Sequence, residues 1–272
     1  MKGIGINDPS FTGHFFGEEA ASVEFANRFK KEMQLSDKFL TKLNNDAAKH
    51  NFTDYVKKNL VYPPPKNGIQ IPAAFAADSN YSPFDDVYNE AATVNPNFNI
   101  YNVNTSYLTA DPLGFPPAGT EASADNIFNN VTGLKEYIHA GNKTWYECTL
   151  NPVFVGDGDL SPPPDVSVLP GVIDKSVRTV IQHGSLDYVL IADGSKLAIQ
   201  NMTWGGARGF QTKPSNDLIV DGSVQGNYHA ERKLTFIEVY QSGHMIPQDA
   251  PKVAYKNTEY LLGRIGLDDL GK

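Results

Sequence analysis

At 272 residues, 40% hydrophobic and 11% aromatic, the chain carries enough apolar material for one large domain or two smaller ones around a sizeable core, which excludes a disordered polypeptide. A net charge of −8 with no run of Lys or Arg argues against nucleic acid or an anionic membrane surface as partner, since neither is attracted to an acidic surface. No apolar run reaches the length of a membrane span, and Met1 to Ile6 is too short and too Gly-rich for a signal peptide.

In chain order, Lys2 to Ile6 reads as a short core strand that stops at Asn7-Asp8-Pro9. Residues 17 to 61 read as mostly helical. Val23, Phe25, Ala26 and Phe29 mark a first helix, Phe39, Leu40, Leu43 and Ala47 a second, and Tyr62-Pro63-Pro64-Pro65 ends the pattern. An irregular stretch over 62 to 83 precedes a helix from Phe84 to Ala92 and a short strand around Phe98 to Tyr101. After a break at Asp111 to Pro117, a helix is expected from Ser123 to Ile138, followed by Trp145, Cys148 and a rigid connector at Ser161-Pro162-Pro163-Pro164.

The last third has a different rhythm. A strand over Val177 to Gln182, a helix over Gly194 to Asn201, a Gly-rich loop from Trp204 to Phe210, two hairpin-like segments, a strand over Leu234 to Tyr240 and a helix over Ala250 to Gly263 imply a parallel α/β sheet.

In such sheets catalytic groups collect just beyond the carboxyl ends of the strands. Asp187 follows one predicted strand within Gly184-Ser185-Leu186-Asp187, and His244 follows another within Ser242-Gly243-His244-Met245-Ile246-Pro247. An imidazole so placed can take a proton from a hydroxyl and return it to a leaving group, while a carboxylate on its far nitrogen fixes the tautomer. Gly184 and Gly243 suggest tight turns that expose those side chains. Taken singly, an Asp after a strand is most often a turn residue and a lone His a surface or core group; their pairing, in this order, points to catalysis. His14, His50, His139, His183 and His229 lack such context and read as structural or surface residues. No spacing suits zinc and no Gly-rich loop suits phosphate.

Gly184-x-x-Asp187, Trp204-Gly205 with Gly209-Phe210, and Gly243-His244-Met245-Ile246-Pro247 with Pro251 closely resemble the serine carboxypeptidases of the α/β-hydrolase fold, the fungal branch most of all. Lys2 to Ile6 resembles the strand after the nucleophile region, Asn51 to Val56 and Asn95 to Tyr101 resemble the insertion domain, and Trp145 to Cys148 resembles its exit. The fold class implied is α/β: a partial α/β-hydrolase sheet made of its C-terminal strands, with a largely helical insertion or cap domain. The implied division is a core strand over 1–12, a cap over 13–149 and a C-terminal hydrolase core over 150–272.

By that resemblance Asp187 is the triad acid, His244 the base, and Met245 lines the pocket for the substrate's terminal residue. The implied reaction removes single amino acids from peptide or protein C-termini through an acyl-enzyme, at acidic pH, with no metal or other cofactor. The serine must come from elsewhere, since no Gly-x-Ser-x-Gly elbow occurs in the chain. The resemblance thus covers a C-terminal portion whose partner is the N-terminal half of the same enzyme, and a non-catalytic binding protein derived from this fold is the alternative. Ser185 and Ser242 are poor nucleophile candidates because neither sits on a strand-to-helix elbow.

His50, Asn97 and Tyr107 stand where fungal relatives carry cysteines, and the single cysteine, Cys148, matches one whose partner lies in the other half. Six acceptor sequons, at Asn51, Asn80, Asn104, Asn130, Asn142 and Asn201, suggest a glycosylated protein. The full-length protein is accordingly expected to be secreted or vacuolar.

Overall fold

A computed structural model of the chain describes residues 2–106, 127–145, 154–156, 158–159 and 161–272. Strand β1 (Gly3–Asn7) leads through a π-helical turn at Phe15–Glu19 into helices α1 (Ala20–Arg28), α2 (Asp37–Lys49), α3 (Tyr55–Asn59), α4 (Ala73–Ala76) and α5 (Pro83–Val94). Two single turns, α6 (Ile127–Asn130) and α7 (Leu134–Tyr137), and α8 (Leu169–Lys175) precede β2 (Arg178–Gly184) and α9 (Ala192–Asn201). A small hairpin of β3 (Thr203–Trp204) and β4 (Ala207–Arg208) is followed by β5 (Asn216–Val220), β6 (Ser223–Glu231) and β7 (Leu234–Val239). Helices α10 (Ile246–Asp249) and α11 (Pro251–Leu261) close the chain with a 3₁₀ turn at Leu267–Gly271.

The main sheet has the order β1-β2-β7-β6-β5. β1, β2 and β7 run parallel, whereas β7, β6 and β5 are joined as antiparallel hairpins. The sheet is therefore mixed, not wholly parallel as the strand-helix rhythm implies. The reason is local: the β6–β7 and β5–β6 connections, Arg232-Lys233 and Asp221-Gly222, are two-residue turns at positive φ, too short for a crossover.

Central position explains the composition of β2 and β7, whose residues are almost all buried. Alternation then splits them between two layers. Ile181 and Phe236 join a core built with α1, α2, α5 and α9, while Val180, Ile237 and Val239 pack with Val253 and Tyr260 of α11 on the opposite face.

The helical segment is specified by its caps and its aromatics. Ser36 accepts the Phe39 N–H at 3.1 Å to start α2, and Ser82 accepts the Asp85 N–H at 3.1 Å to start α5 with Pro83 in its first turn. Leu40, Leu43 and Ala47 bury one face of α2, as their spacing predicts. Phe15 contacts Phe16, Phe52, Tyr55 and Phe75 edge-on, with centroids 5.0–5.8 Å apart, and this cluster joins α3 and α4 to the sheet core. His50 stacks on Tyr81 at 3.7 Å and its Nε2 lies 3.1 Å from Asp78, so ring stacking ties that part of the chain together.

Three sequence expectations are corrected. Phe98 to Tyr101 is no strand: its pairing is an isolated bridge between Phe98 and Ser106, and its backbone is used to clamp neighbouring loops. The helix expected from Ser123 to Ile138 is, in its described part, two single turns separated by Val131-Thr132-Gly133, where Gly133 has φ 79°. The Trp204 to Phe210 loop contains a hairpin, and its Trp204 is 1% exposed with Phe210 edge-on at 5.4 Å, so this motif is a packing element. Tyr107, Cys148 and the Asp111 to Pro117 break lie outside the described residues. Among the described residues no helix is long and apolar enough to cross a membrane.

Candidate active site

The parallel pair β2 and β7 ends at Gly184 and Val239, and the loops beyond those ends meet. Ser185 N–H donates to Val239 O at 2.9 Å and Leu186 N–H to Ser242 O at 2.8 Å, which laces one loop to the other. Asp187 and His244 are thereby brought together: His244 Nδ1 lies 2.8 Å from Asp187 Oδ2. The remaining oxygen, Oδ1, accepts the N–H groups of Val189 at 2.8 Å and Leu190 at 3.2 Å. Asp187 is fully buried, whereas the His244 side chain is 29% exposed.

These contacts fix the protonation pattern. A carboxylate acceptor on Nδ1 requires the proton there, which leaves Nε2 of the neutral ring as the nitrogen able to accept a proton. Burial raises the Asp187 carboxyl against the opposing hydrogen bonds from His244 and the two backbone amides. Partial burial works against charge on His244, but its bond to Asp187 and the adjacent negative charge outweigh it and raise the imidazole above its ordinary 6.5.

Gly184 opens a turn closed by Asp187 N–H on its carbonyl at 3.5 Å, and neither Gly184 nor Gly243 lies at positive φ. They permit contact. A Cβ on Gly184 would sit 2.1 Å from Gly243 O, and one on Gly243 would sit 2.0 Å from Tyr101 O. Any larger residue would force the two loops apart and separate the carboxylate from the imidazole.

A third segment completes the clamp. His244 N–H donates to Tyr101 O at 2.7 Å, Tyr188 N–H to Ile100 O at 3.1 Å, and Val103 N–H to Leu186 O at 3.0 Å. Asp249 Oδ2 accepts both Gly243 N–H at 2.8 Å and Asn102 Nδ2 at 2.9 Å, fixing the histidine loop from below. Residues 100–103 thus grip the Asp187 and His244 loops through the backbone groups of Ile100, Tyr101 and Val103 and the side chain of Asn102.

The sequence reading also passed over Asp8. This residue follows β1 at φ 41°, is 3% exposed, and accepts Gly184 N–H on Oδ1 at 2.8 Å. Asp8, Asp187 and His244 each present a ligand-type atom within 4.8 Å of the others. His244 Nδ1 and both Asp187 oxygens are already engaged in hydrogen bonds, so the cluster is arranged to share protons. Burial first, and the neighbouring Asp187 charge second, push the Asp8 carboxyl up to about 9. His183, fully buried with Nδ1 3.5 Å from Asp8 Oδ1, is pushed down to about 3 by burial and is a neutral wall of the site. The signal for Asp8 was its place at the carboxyl end of β1, the same criterion that selected Asp187 and His244.

Of the other candidates, Met245 is half-buried at the start of α10, beside His244. Ser242 is fully buried and its hydroxyl donates to Gly243 O at 3.2 Å. Asn51, Asn80, Asn104, Asn130 and Asn142 are exposed, while Asn201 is half-buried at the end of α9 with Oδ1 accepting Ile69 N–H at 2.9 Å.

The sequence profile of the family described as Serine carboxypeptidase matches residues 17–263. The chain is 39% identical to a "Probable serine carboxypeptidase" of Arthroderma benhamiae, over 98% of this chain and 52% of that protein. It is 35% identical to "Serine-type carboxypeptidase F" of Aspergillus niger, over 97% of this chain and 55% of that protein. The structure of Kex1(delta)p, described as a prohormone-processing carboxypeptidase from Saccharomyces cerevisiae, superposes with a TM-score of 0.59 at 20% identity, covering 99% of this chain and 56% of that one. The chain thus spans about half the length of the curated relatives it matches, and over that half its fold is the α/β-hydrolase type. Near-complete coverage at this identity, together with the profile match, establishes that the chain belongs to the serine carboxypeptidase family.

Proposed function

We propose that this chain supplies the acid and base of a serine-type carboxypeptidase, which releases single amino acids from peptide C-termini through an acyl-enzyme. The observation that carries this reading is the 2.8 Å bond between His244 Nδ1 and a fully buried Asp187 that is held by two backbone amides. His244 Nε2 removes the proton from a serine hydroxyl as it attacks the scissile carbonyl, then returns it to the departing amine. Asp187 holds the ring orientation and stabilises the imidazolium formed between those two steps. Met245, next in sequence to the base, contributes to the wall of the pocket for the departing residue.

The serine and the oxyanion donors come from the N-terminal part of the family's sequence. In support, among the described residues β1 pairs with β2 on one side only, and Asp8 of the Asp8, Asp187 and His244 cluster follows its carboxyl end. A free parallel edge of this kind accepts another strand, and the strand that pairs here would deliver its own carboxyl end beside Asp8, Asp187 and His244.

The test is to produce the chain alone and together with the N-terminal segment of the 39% identical relative, then follow release of the terminal residue from an N-blocked dipeptide. No release from the chain alone and release from the pair are expected. Turnover by the chain alone would overturn the assignment of the nucleophile, and an inactive but stably assembled pair would overturn the catalytic reading.

The five exposed sequons support a glycosylated protein of the secretory pathway or vacuole. Endoglycosidase treatment of the native full-length protein is expected to lower its apparent mass; an unchanged mobility would remove this assignment.

A further inference from the structure

Asp8 and Asp187 come from different strand ends and converge on the same imidazole. Two carboxylates this close in a site without bulk water cannot both carry charge, so the pair holds one proton. The donors decide which oxygen bears it. Asp187 accepts three hydrogen bonds, from His244 Nδ1, Val189 N–H and Leu190 N–H, all of which favour the ionised form. Asp8 accepts one, from Gly184 N–H, and its Oδ2 is buried without a donor. We propose that Asp8 is a positioning residue of this site, whose protonated Oδ2 donates to the Asp187 carboxylate and so tempers the basicity of His244.

The charged and titratable surroundings agree. His183 of β2 is neutral, and Asp249 of α10 adds a further negative charge that discourages ionisation of Asp8. Lys196 of α9 acts on His183, reinforcing its neutral state. A carboxyl donor on Asp187 disperses that residue's charge, which weakens its pull on Nδ1–H and keeps more of the imidazole neutral as pH falls. This inference rests on reading Asp187 and His244 as the acid–base pair, but its measurement needs no turnover. Failure of hydrolysis and failure of the proton-sharing arrangement are therefore separate results.

The experiment is an NMR titration of the 272-residue chain that follows the Asp8 side-chain carboxyl carbon and the His244 ring nitrogens, in the native sequence and in Asp8→Asn and Asp8→Ala. An Asp8 midpoint above pH 7 is expected, and one below pH 5 overturns the proposal. Asp8→Asn retains a neutral donor to Asp187, so the His244 proton affinity should stay within about threefold of native, whereas Asp8→Ala should raise it by about three- to tenfold. If Asp8 were an ionised neighbour, Asp8→Asn would remove a negative charge and lower the His244 proton affinity by about tenfold or more, which also overturns the proposal. Should Asp8→Ala fail to fold, the native Asp8 midpoint decides alone.

Discussion

Replacing Asp187 by Asn in the assembled carboxypeptidase is expected to lower kcat by about 10⁴-fold while moving KM by only a few-fold. The carboxylate accepts Nδ1–H of His244, which leaves Nε2 free of a proton. An amide of the same shape can turn its NH₂ group to Nδ1, and the ring then carries its proton on Nε2, where a base is needed. The loop geometry tolerates the change, because the amide oxygen still accepts from Val189 and Leu190 at the position of Oδ1. Substrate binding is hardly affected, so the loss falls on kcat.

The pH profile supplies a second readout. In the native protein the imidazole is raised above its ordinary 6.5 by Asp187, so the neutral base, and with it kcat/KM, is expected to decline as pH falls through that raised value, which runs against the acidic working pH implied by the family resemblance. Asp187→Asn removes the negative charge, lowers the imidazole midpoint, and moves that limb to lower pH. Initial rates on an N-blocked dipeptide across the pH range check both effects. A kcat loss below tenfold, with no displacement of the limb, would remove Asp187 from the catalytic pair.

The second large effect is on stability. Lys196 Nζ lies 2.6 Å from Asp193 Oδ1 and 3.1 Å from Glu238 Oε2, and Arg28 Nη2 lies 2.7 Å from Asp193 Oδ2. This network ties the end of α1 to α9 and to β7, joining the helical layer to the sheet, and borders a cavity of about 520 Å³ lined by neither Asp187 nor His244. Lys196 and Asp193 are both largely buried, and a buried ion network is destabilised most when one partner is removed and the others are left uncompensated. Lys196→Met is therefore expected to cost about 3–5 kcal/mol in urea unfolding at neutral pH.

The sign of its pH dependence follows from Asp193. Burial works to raise that carboxyl, but Lys196 and Arg28 outweigh it and hold it at about 2 in the folded protein, below its ordinary 3.8. A depressed folded value contributes stability that is present above pH 4 and is lost as pH falls through 2. In Lys196→Met the Asp193 carboxyl rises toward its unfolded value, so less stability is lost on acidification and the gap between variant and native protein narrows as pH falls from 4 toward 2. Urea midpoints at several pH values decide the matter, and a cost under 1 kcal/mol would show the network to be dispensable.

Much of the site was legible because it obeys a rule tied to local sequence. Asp187 and His244 each follow an apolar strand within a short Gly-containing segment, and strand ends in α/β sheets are where reacting groups gather. Asp8 met the same criterion at the end of β1, yet a single acidic residue before a proline is indistinguishable from a turn residue until a second carboxylate is placed beside it. The clamp by Ile100 to Val103 was illegible for a different reason: apart from the Asn102 amide its contacts are backbone groups, and every residue type provides those. Gly184 and Gly243 stand out in the sequence as turn residues, while the further demand on them, the absence of a Cβ at a loop contact, belongs to the tertiary structure.

The mixed sheet shows the same division. Apolar runs over β2 and β7 announce central strands, and their burial bears this out. The direction of each strand depends on the connection, and the two-residue turns at Asp221-Gly222 and Arg232-Lys233 impose hairpins where a rhythm of strands and helices suggests crossovers.

By itself the sequence determined the local elements and the residue types available at each strand end, because hydrophobic period, capping serines and turn residues act within a few positions along the chain. Only the tertiary structure decided which strand ends meet, which loops beyond them are laced together, and that a second carboxyl, Asp8, lies beside Asp187. Those properties are set by distances and burial between residues more than fifty positions apart, where chain order exerts no force and packing does.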